Sequence, residues 1–108
     1  MNDPIQYMRE KAVLGGLLID NDKLPEILDI LEPSDFEHQA NLEIFIVLTD
    51  LFNKNEPIDL ITLPASLKEK GLFEVVGGAV YLSELIDAVP SAANIIHYAR
   101  KIRDGHLN

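Results

Sequence analysis

The 108 residues contain neither cysteine nor tryptophan. Without cysteine there is no disulfide framework, no thiolate nucleophile and no zinc site built on sulfur ligands. Positive charge is scarce: nine Lys and Arg stand against 18 Asp and Glu, a formal net charge of −9. A nucleic-acid surface needs a basic patch to displace counterions from phosphates, so no direct DNA contact is expected of this chain. Long apolar runs are missing too. The longest, Ala12 to Ile19, falls far short of the ~20 residues that a spanning helix requires. Arg9 and Lys11 precede it as a signal peptide's basic region would. But Asp3 and Glu10 sit among them, and Asp20-Asn21-Asp22 stands in place of a small-residue cleavage site. No membrane association is expected, and the cytoplasm is the expected compartment. No stretch reads G-x-x-x-x-G-K-[ST], so the phosphate cradle and its lysine are lacking. The pairs Gly15-Gly16 and Gly77-Gly78 are read as packing and turn devices.

What remains is an ordinary globular composition, 47% apolar and 25% charged, in a length typical of one domain. Roughly two-thirds of the unfolded surface is buried at this size, so one core suffices without staples. The acids are unevenly spread. Seven lie between Asp20 and Glu37 with only Lys23 opposing them, while Arg100, Lys101 and Arg103 reverse the sign near the end. The acidic stretch reads either as a solvated face or as a landing surface for a basic partner.

Apolar spacing predicts an all-α fold, a single bundle of about six helices with short connections. A first helix is expected over about Ile5–Ile19, with Ile5, Met8 and Ala12 on one stripe; glycines inside it imply close approach of a neighbour. Asp22 reads as the N-cap of a second helix whose apolar side chains are Leu24, Ile27, Leu28 and Leu31, closed by Pro33. Ser34 and Glu37 have capping-box spacing, and Phe36 reads as a core plug. A third helix over about Ala40–Asn53 has Ile44, Phe45, Leu48, Leu51 and Phe52 inside; Leu42, Ile46 and Val47 lie off that stripe, so it is central or covered by a partner. A fourth is capped by Asp59 or Thr62, buries Leu60, Leu63 and Leu67, and ends at Gly71. Leu72–Val76 reads as a short connection, with an extended segment as one reading. A fifth helix opens at Gly77-Gly78, carries Tyr81, Leu82, Leu85, Ile86 and Val89, and ends at Pro90. Ser91 caps a sixth with Ile95, Ala99 and Ile102 inside, and Gly105 stops it or marks a hinge. The chain therefore reads as one helical domain over 1–108, a bundle over about 5–90 followed by a helix over 91–105.

No catalytic, cofactor-binding or metal-binding residue is assigned. His38, His97 and His106 have no ligand partner at helical spacing, and Asp20-Asn21-Asp22 lacks the glycine and closing glutamate of a calcium loop. Carboxylate pairs lie on faces expected to be exposed, and no G-x-S-x-G elbow is present. The candidates are for protein contact: Ile46 and Val47, flanked on the third helix by Glu43 and Asp50, and Ile96 and Tyr98 on the sixth. The alternative for Ile46 and Val47 is cover by the first or sixth helix.

Four segments in order carry a specific likeness. Glu10-Lys11-Ala12-Val13-Leu14-Gly15-Gly16-Leu17-Leu18, Pro57-Ile58-Asp59-Leu60-Ile61-Thr62-Leu63, Gly77-Gly78-Ala79-Val80-Tyr81-Leu82, and Val89-Pro90-Ser91-Ala92-Ala93-Asn94-Ile95 with Tyr98-Ala99 resemble the N-terminal domain of bacterial replicative DNA helicases, the DnaB family. The chain departs from the family's pattern at Glu37, Asn41 and Pro64. The resemblance implies a non-catalytic assembly and docking domain of a ring-shaped, ATP-driven 5′–3′ helicase. It implies self-association as dimers and, in the parent, a hexamer collar, with primase and a helicase loader as partners. ATP and magnesium would belong to a separate motor domain, and the last helix would lead toward a helical hairpin or linker. The alternatives from other classes are a free-standing helical regulator that binds DNA and a small enzyme with a carboxylate site.

Overall fold

The computed structural model describes residues 4–89 and 94–107, with side chains to 105. Six α-helices follow in order: α1 Pro4–Ile19, α2 Leu24–Ile30, α3 Gln39–Asn53, α4 Thr62–Glu69, α5 Gly78–Asp87 and α6 Ile95–Leu107. Short 3-10 turns at Asn21–Lys23 and Pro33–Asp35 bracket α2. There is no strand among the described residues. The fold is the expected all-helical bundle.

α1 is the central element, packed against α3, α5 and α6. Its buried face carries Val13, Leu14 and Leu17, but also Gln6 and Glu10. The expected stripe of Ile5, Met8 and Ala12 is corrected: Ala12 is buried, whereas Ile5 and Met8 are 57% and 64% exposed. The inward arc runs one position away, and its two polar members are paired inside. The glycine pair does what the sequence implied. A Cβ on Gly15 would lie 2.0 Å from the Leu85 carbonyl oxygen, and one on Gly16 would lie 2.2 Å from Ile95 Cγ2. α5 and α6 thus approach α1 at consecutive residues, closer than any side chain permits.

Leu24, Ile27 and Leu31 bury the inner side of α2. The turn before it is capped one step earlier than expected: Asp20 Oδ1, not Asp22, accepts a bond, from the Asp22 N–H at 3.2 Å. After α2, the reach-back bond runs from the Glu32 N–H to Asp35 Oδ2 at 2.8 Å, displacing the expected Ser34–Glu37 box. Asp35 is buried and takes Arg103 Nη1 at 3.2 Å, which ties α6 to this turn. Phe36 plugs the core with its ring centroid 4.7 Å from that of Phe45.

α3 buries Ile44, Phe45, Val47, Leu48 and Leu51. Phe52 is 37% exposed; it shares an arc with Asn41 and Phe45 but stands in the last turn. Both expected caps of α4 act together. Asp59 Oδ1 accepts from the Ile61 and Thr62 N–H groups at 2.8 Å, and the Asp59 N–H donates to Thr62 Oγ1 at 3.0 Å. The helix starts at Thr62, so Pro64 falls in its first turn, where a missing N–H costs nothing. Leu60 consequently precedes the helix and is half-exposed, while Leu63 and Leu67 are fully buried. Gly71, at φ +71°, ends the helix as expected, and the Leu72 N–H closes back on the Leu67 carbonyl at 2.8 Å.

Leu72–Val76 forms turns rather than an extended segment, with the Val76 N–H bonded to the Leu72 carbonyl at 3.0 Å. Gly77 and Gly78 have φ of +114° and +63°, a pair that only glycine adopts without strain. α5 then buries Leu82 and Leu85. On α6, Ile95, Ala99 and Ile102 are fully buried. The helix continues through Gly105 to Leu107, so Gly105 does not stop it. The expected Pro90 stop and Ser91 cap lie outside the described residues.

Candidate functional site

The candidate strip on α3 divides. Ile46 is 39% exposed, but Val47 is fully buried in the core and leaves the candidate surface. Consecutive helical residues point about 100° apart, so only one of the two can face outward here. Glu43 and Asp50 flank Ile46 and are both engaged. Glu43 Oε1 accepts from Gln39 Nε2 at 2.9 Å. Asp50 Oδ2 holds Lys54 Nζ at 3.1 Å and Lys70 Nζ at 3.6 Å. The Lys54 hydrogen bond, with the charges of Lys54 and Lys70, keeps the Asp50 carboxyl below its usual range. Asp50 in turn raises the Lys54 ammonium. This face is therefore a small apolar point between Asp50, which two lysines neutralise, and Glu43, which only an amide engages.

Ile96 and Tyr98 are half-buried and pack against the core. α6 packs on α1, α2 and the Pro33–Asp35 turn, whereas α3 packs on α1, α4 and that same turn. The candidates on the two helices do not form one patch. Tyr98 borders a groove beside α1 that includes Ile5 and Met8. Further exposed apolar side chains are Ile61 at 79%, Val75 at 68% and Val80 at 80%. They fall in the segments around Asp59 and Gly77-Gly78, which sequence reading treated as helix starts and not as surfaces.

A buried polar cluster, which apolar spacing does not reveal, lies inside the bundle. Glu10 has no exposed surface. Its Oε2 accepts from Gln6 Nε2 at 2.9 Å and from the Glu37 N–H at 2.8 Å, and its Oε1 accepts from Asn41 Nδ2 at 2.9 Å and the His38 N–H at 3.4 Å. The Tyr81 hydroxyl donates to Asn41 Oδ1. Burial, and then the neighbouring Tyr7, push the Tyr81 phenol above its ordinary range. The expectation that the carboxylates lie on exposed faces is thus corrected for Glu10 and Asp35. With both oxygens of Glu10 occupied by donors, the carboxylate acts as an anchor between helices. General acid–base work needs an accessible proton path to a substrate. The signal available in the sequence was spacing: Gln6, Glu10, Val13, Leu14 and Leu17 lie on one face.

The His38 ring stacks on Tyr7 with centroids 3.9 Å apart, and His97 meets the edge of Tyr98 at 5.8 Å. Among the described residues, no group of three or more His, Asp or Glu is arranged to hold a metal ion. Nor is any helix of the described residues long and apolar enough to cross a membrane.

Comparison with known proteins gives a consistent result. The family model for the DnaB-like helicase N terminal domain matches residues 2–104. The chain is 42% identical over 101 residues to the replicative DNA helicase DnaB of Geobacillus stearothermophilus, and 38% identical over 96 residues to that of Mycobacterium leprae. These alignments cover 94% and 89% of this chain but only 22% and 16% of the relatives. Among solved structures, the N-terminal domain of DnaB helicase from Mycobacterium tuberculosis superposes with a TM-score of 0.90 at 38% identity, covering 94% of this chain and 72% of that one.

Proposed function

Because this chain belongs to the DnaB-like helicase N-terminal domain family, we propose that it is a non-catalytic assembly and partner-docking domain of an ATP-dependent replicative DNA helicase. The observation that supports this reading is the likeness of fold and sequence over nearly the whole chain to the solved N-terminal domain of a DnaB helicase. In the parent, unwinding 5′–3′ and ATP with magnesium belong to a motor domain elsewhere. The 108 residues contain no phosphate-loop motif, and their charge balance is unsuited to gripping DNA. The domain's task is to associate with further copies as dimers, and in the parent as a hexamer collar. It also offers surface to primase and to a helicase loader, and it works in the cytoplasm. A rigid α1-centred bundle with isolated apolar points on its outside suits that task.

Sedimentation of the 108-residue chain over a range of concentrations, with an ATPase assay on the same sample, tests the reading. Reversible self-association without ATP turnover is expected. A strict monomer at high concentration, or turnover of ATP by the pure chain, overturns it.

A further inference from the structure

Between the first half of α1, the end of α5 and α6 lies an open groove of about 450 Å³. Ile5, Met8, Ala12, Ala88 and Tyr98 give it an apolar floor, and Arg9 and Lys11 line it from α1, Lys11 already paired with Glu84. Its charge is opposite to that of the rest of the chain. Of the other eight cations four are taken: Lys11 by Glu84 at 2.9 Å, Arg103 by Asp35, and Lys54 and Lys70 by Asp50. Arg9 is half-buried, and among the described residues no acid lies within ion-pairing distance of it. Lys101 is exposed three residues on from Tyr98, on the same side of α6. A guanidinium presents five donors in a fork that matches a carboxylate. Here the fork stands beside Ile5 and Met8, each more than half exposed.

We propose that this groove is a docking site for an acidic amphipathic helix of a partner protein. The helix seats apolar side chains on Ile5, Met8 and Tyr98 and places one carboxylate on Arg9. Charge complementarity selects an acidic occupant, and the apolar floor selects one with a hydrophobic stripe. A second copy of this chain offers the acids but not the stripe. In its most acidic stretch, the side chains Leu24, Ile27 and Leu31 are buried in the core. The proposal names one partner's chemistry for the docking role above, rests on that reading only for its biological setting, and is tested without motor or primase.

The test is an NMR titration of the 108-residue chain with two synthetic amphipathic peptides of about 16 residues, roughly four helical turns. Both carry the same leucine stripe, one with glutamate and one with lysine on the polar face. The glutamate peptide is expected to shift the Ile5 and Met8 methyls and the Tyr98 ring. Arg9→Glu and the milder Arg9→Gln should each weaken binding by about tenfold or more, the scale of one charge-assisted contact. Lys23→Glu makes the same change of net charge as Arg9→Glu and should leave binding unchanged. Circular dichroism of each variant checks that the fold is kept. The proposal falls if millimolar glutamate peptide leaves those signals in place, if the lysine peptide moves them equally, or if Lys23→Glu weakens binding as much as Arg9→Glu. It also falls if the wild type self-associates through this groove and Arg9→Glu abolishes that association. A failed titration leaves the self-association and ATPase test of the parent reading standing.

Discussion

The side chain of Asn41 joins two helices to its own: its Nδ2 donates to Glu10 Oε1 at 2.9 Å, and its Oδ1 accepts from the Tyr81 hydroxyl. One amide thereby couples α1, α3 and α5, with Glu10 and Asn41 fully buried and Tyr81 half-buried. Glu10 also receives the N–H groups of Glu37 and His38, so it fixes how the chain enters α3. Removing it strands several buried donors at once, each costing about 1–3 kcal/mol. Glu10→Ala should therefore destabilise the domain by about 3 kcal/mol or more. Glu10→Gln keeps the shape but turns one acceptor into a donor facing donors, and should cost about 2 kcal/mol. Urea unfolding followed by circular dichroism measures both; a loss below 1 kcal/mol for the alanine variant would show the cluster to be dispensable.

The two glycines of α1 should respond unequally to alanine. At Gly15 the added carbon meets the Leu85 backbone carbonyl, which moves only if α5 moves. At Gly16 it meets Ile95 Cγ2, a side-chain atom rather than backbone. Each variant gains about 1 kcal/mol of helix propensity, set against an overpacking cost of typically 1–3 kcal/mol or more. Gly15→Ala should lose about 2–3 kcal/mol net, and Gly16→Ala less. Thermal unfolding of the two variants side by side gives the order; equal losses would show that α5 yields as readily as a side chain.

These two features differ in how they could be read in advance. The glycine pair was legible because glycine within a helix is itself a cost that asks for a reason. The helices were legible wherever apolar residues recur at three and four, as in Ile95, Ala99 and Ile102. Glu10 was not, because a search for apolar periodicity passes over a polar residue on the buried face. Ile5 and Met8 fit an inward stripe by spacing alone, yet they border the groove. Leu60 differs for a boundary reason: whether Asp59 or Thr62 caps α4 decides whether position 60 is helical, and spacing leaves both open. Val47 and Ile46 look alike as residues, and only the packing of α3 separates them. Of the candidate surface, then, the chain announced its residue types and its helices, while exposure depended on crossings that no local pattern encodes.

Acid should loosen the start of α4 before the core. The N–H groups of Thr62 and then Ile61 hold the Asp59 carboxyl below its ordinary value of 3.8. A depressed folded-state value means that the cap's contribution is fully present above about pH 4 and is lost as pH falls through the lower folded value. Asp59→Asn retains an acceptor without the charge. It should flatten this acid dependence while keeping part of the stability, whereas Asp59→Ala should lose both. Amide hydrogen exchange at Ile61 and Thr62 between pH 5 and pH 2 reports the change directly; protection that stays constant in the wild type would remove the cap from the account.

Ile46 and Val47 provide the sharpest separation of surface from core, because they are neighbours in sequence and of one chemical kind. Val47 is fully buried among the core side chains, so Val47→Asp puts a carboxylate where no partner waits and should unfold the domain at room temperature. Ile46 is partly exposed between Glu43 and Asp50. Ile46→Lys should keep the helix content and shift thermal stability little, since surface changes usually stay within about 0.5 kcal/mol. If this point on α3 contributes to self-association, the lysine variant sediments as a smaller species than the wild type at equal concentration. Circular dichroism and sedimentation on the same samples separate the outcomes. A folded Ile46→Lys variant that associates as the wild type does would strike α3 from the assembly surface, leaving the groove beside α1 and the exposed Ile61, Val75 and Val80 as the places to look.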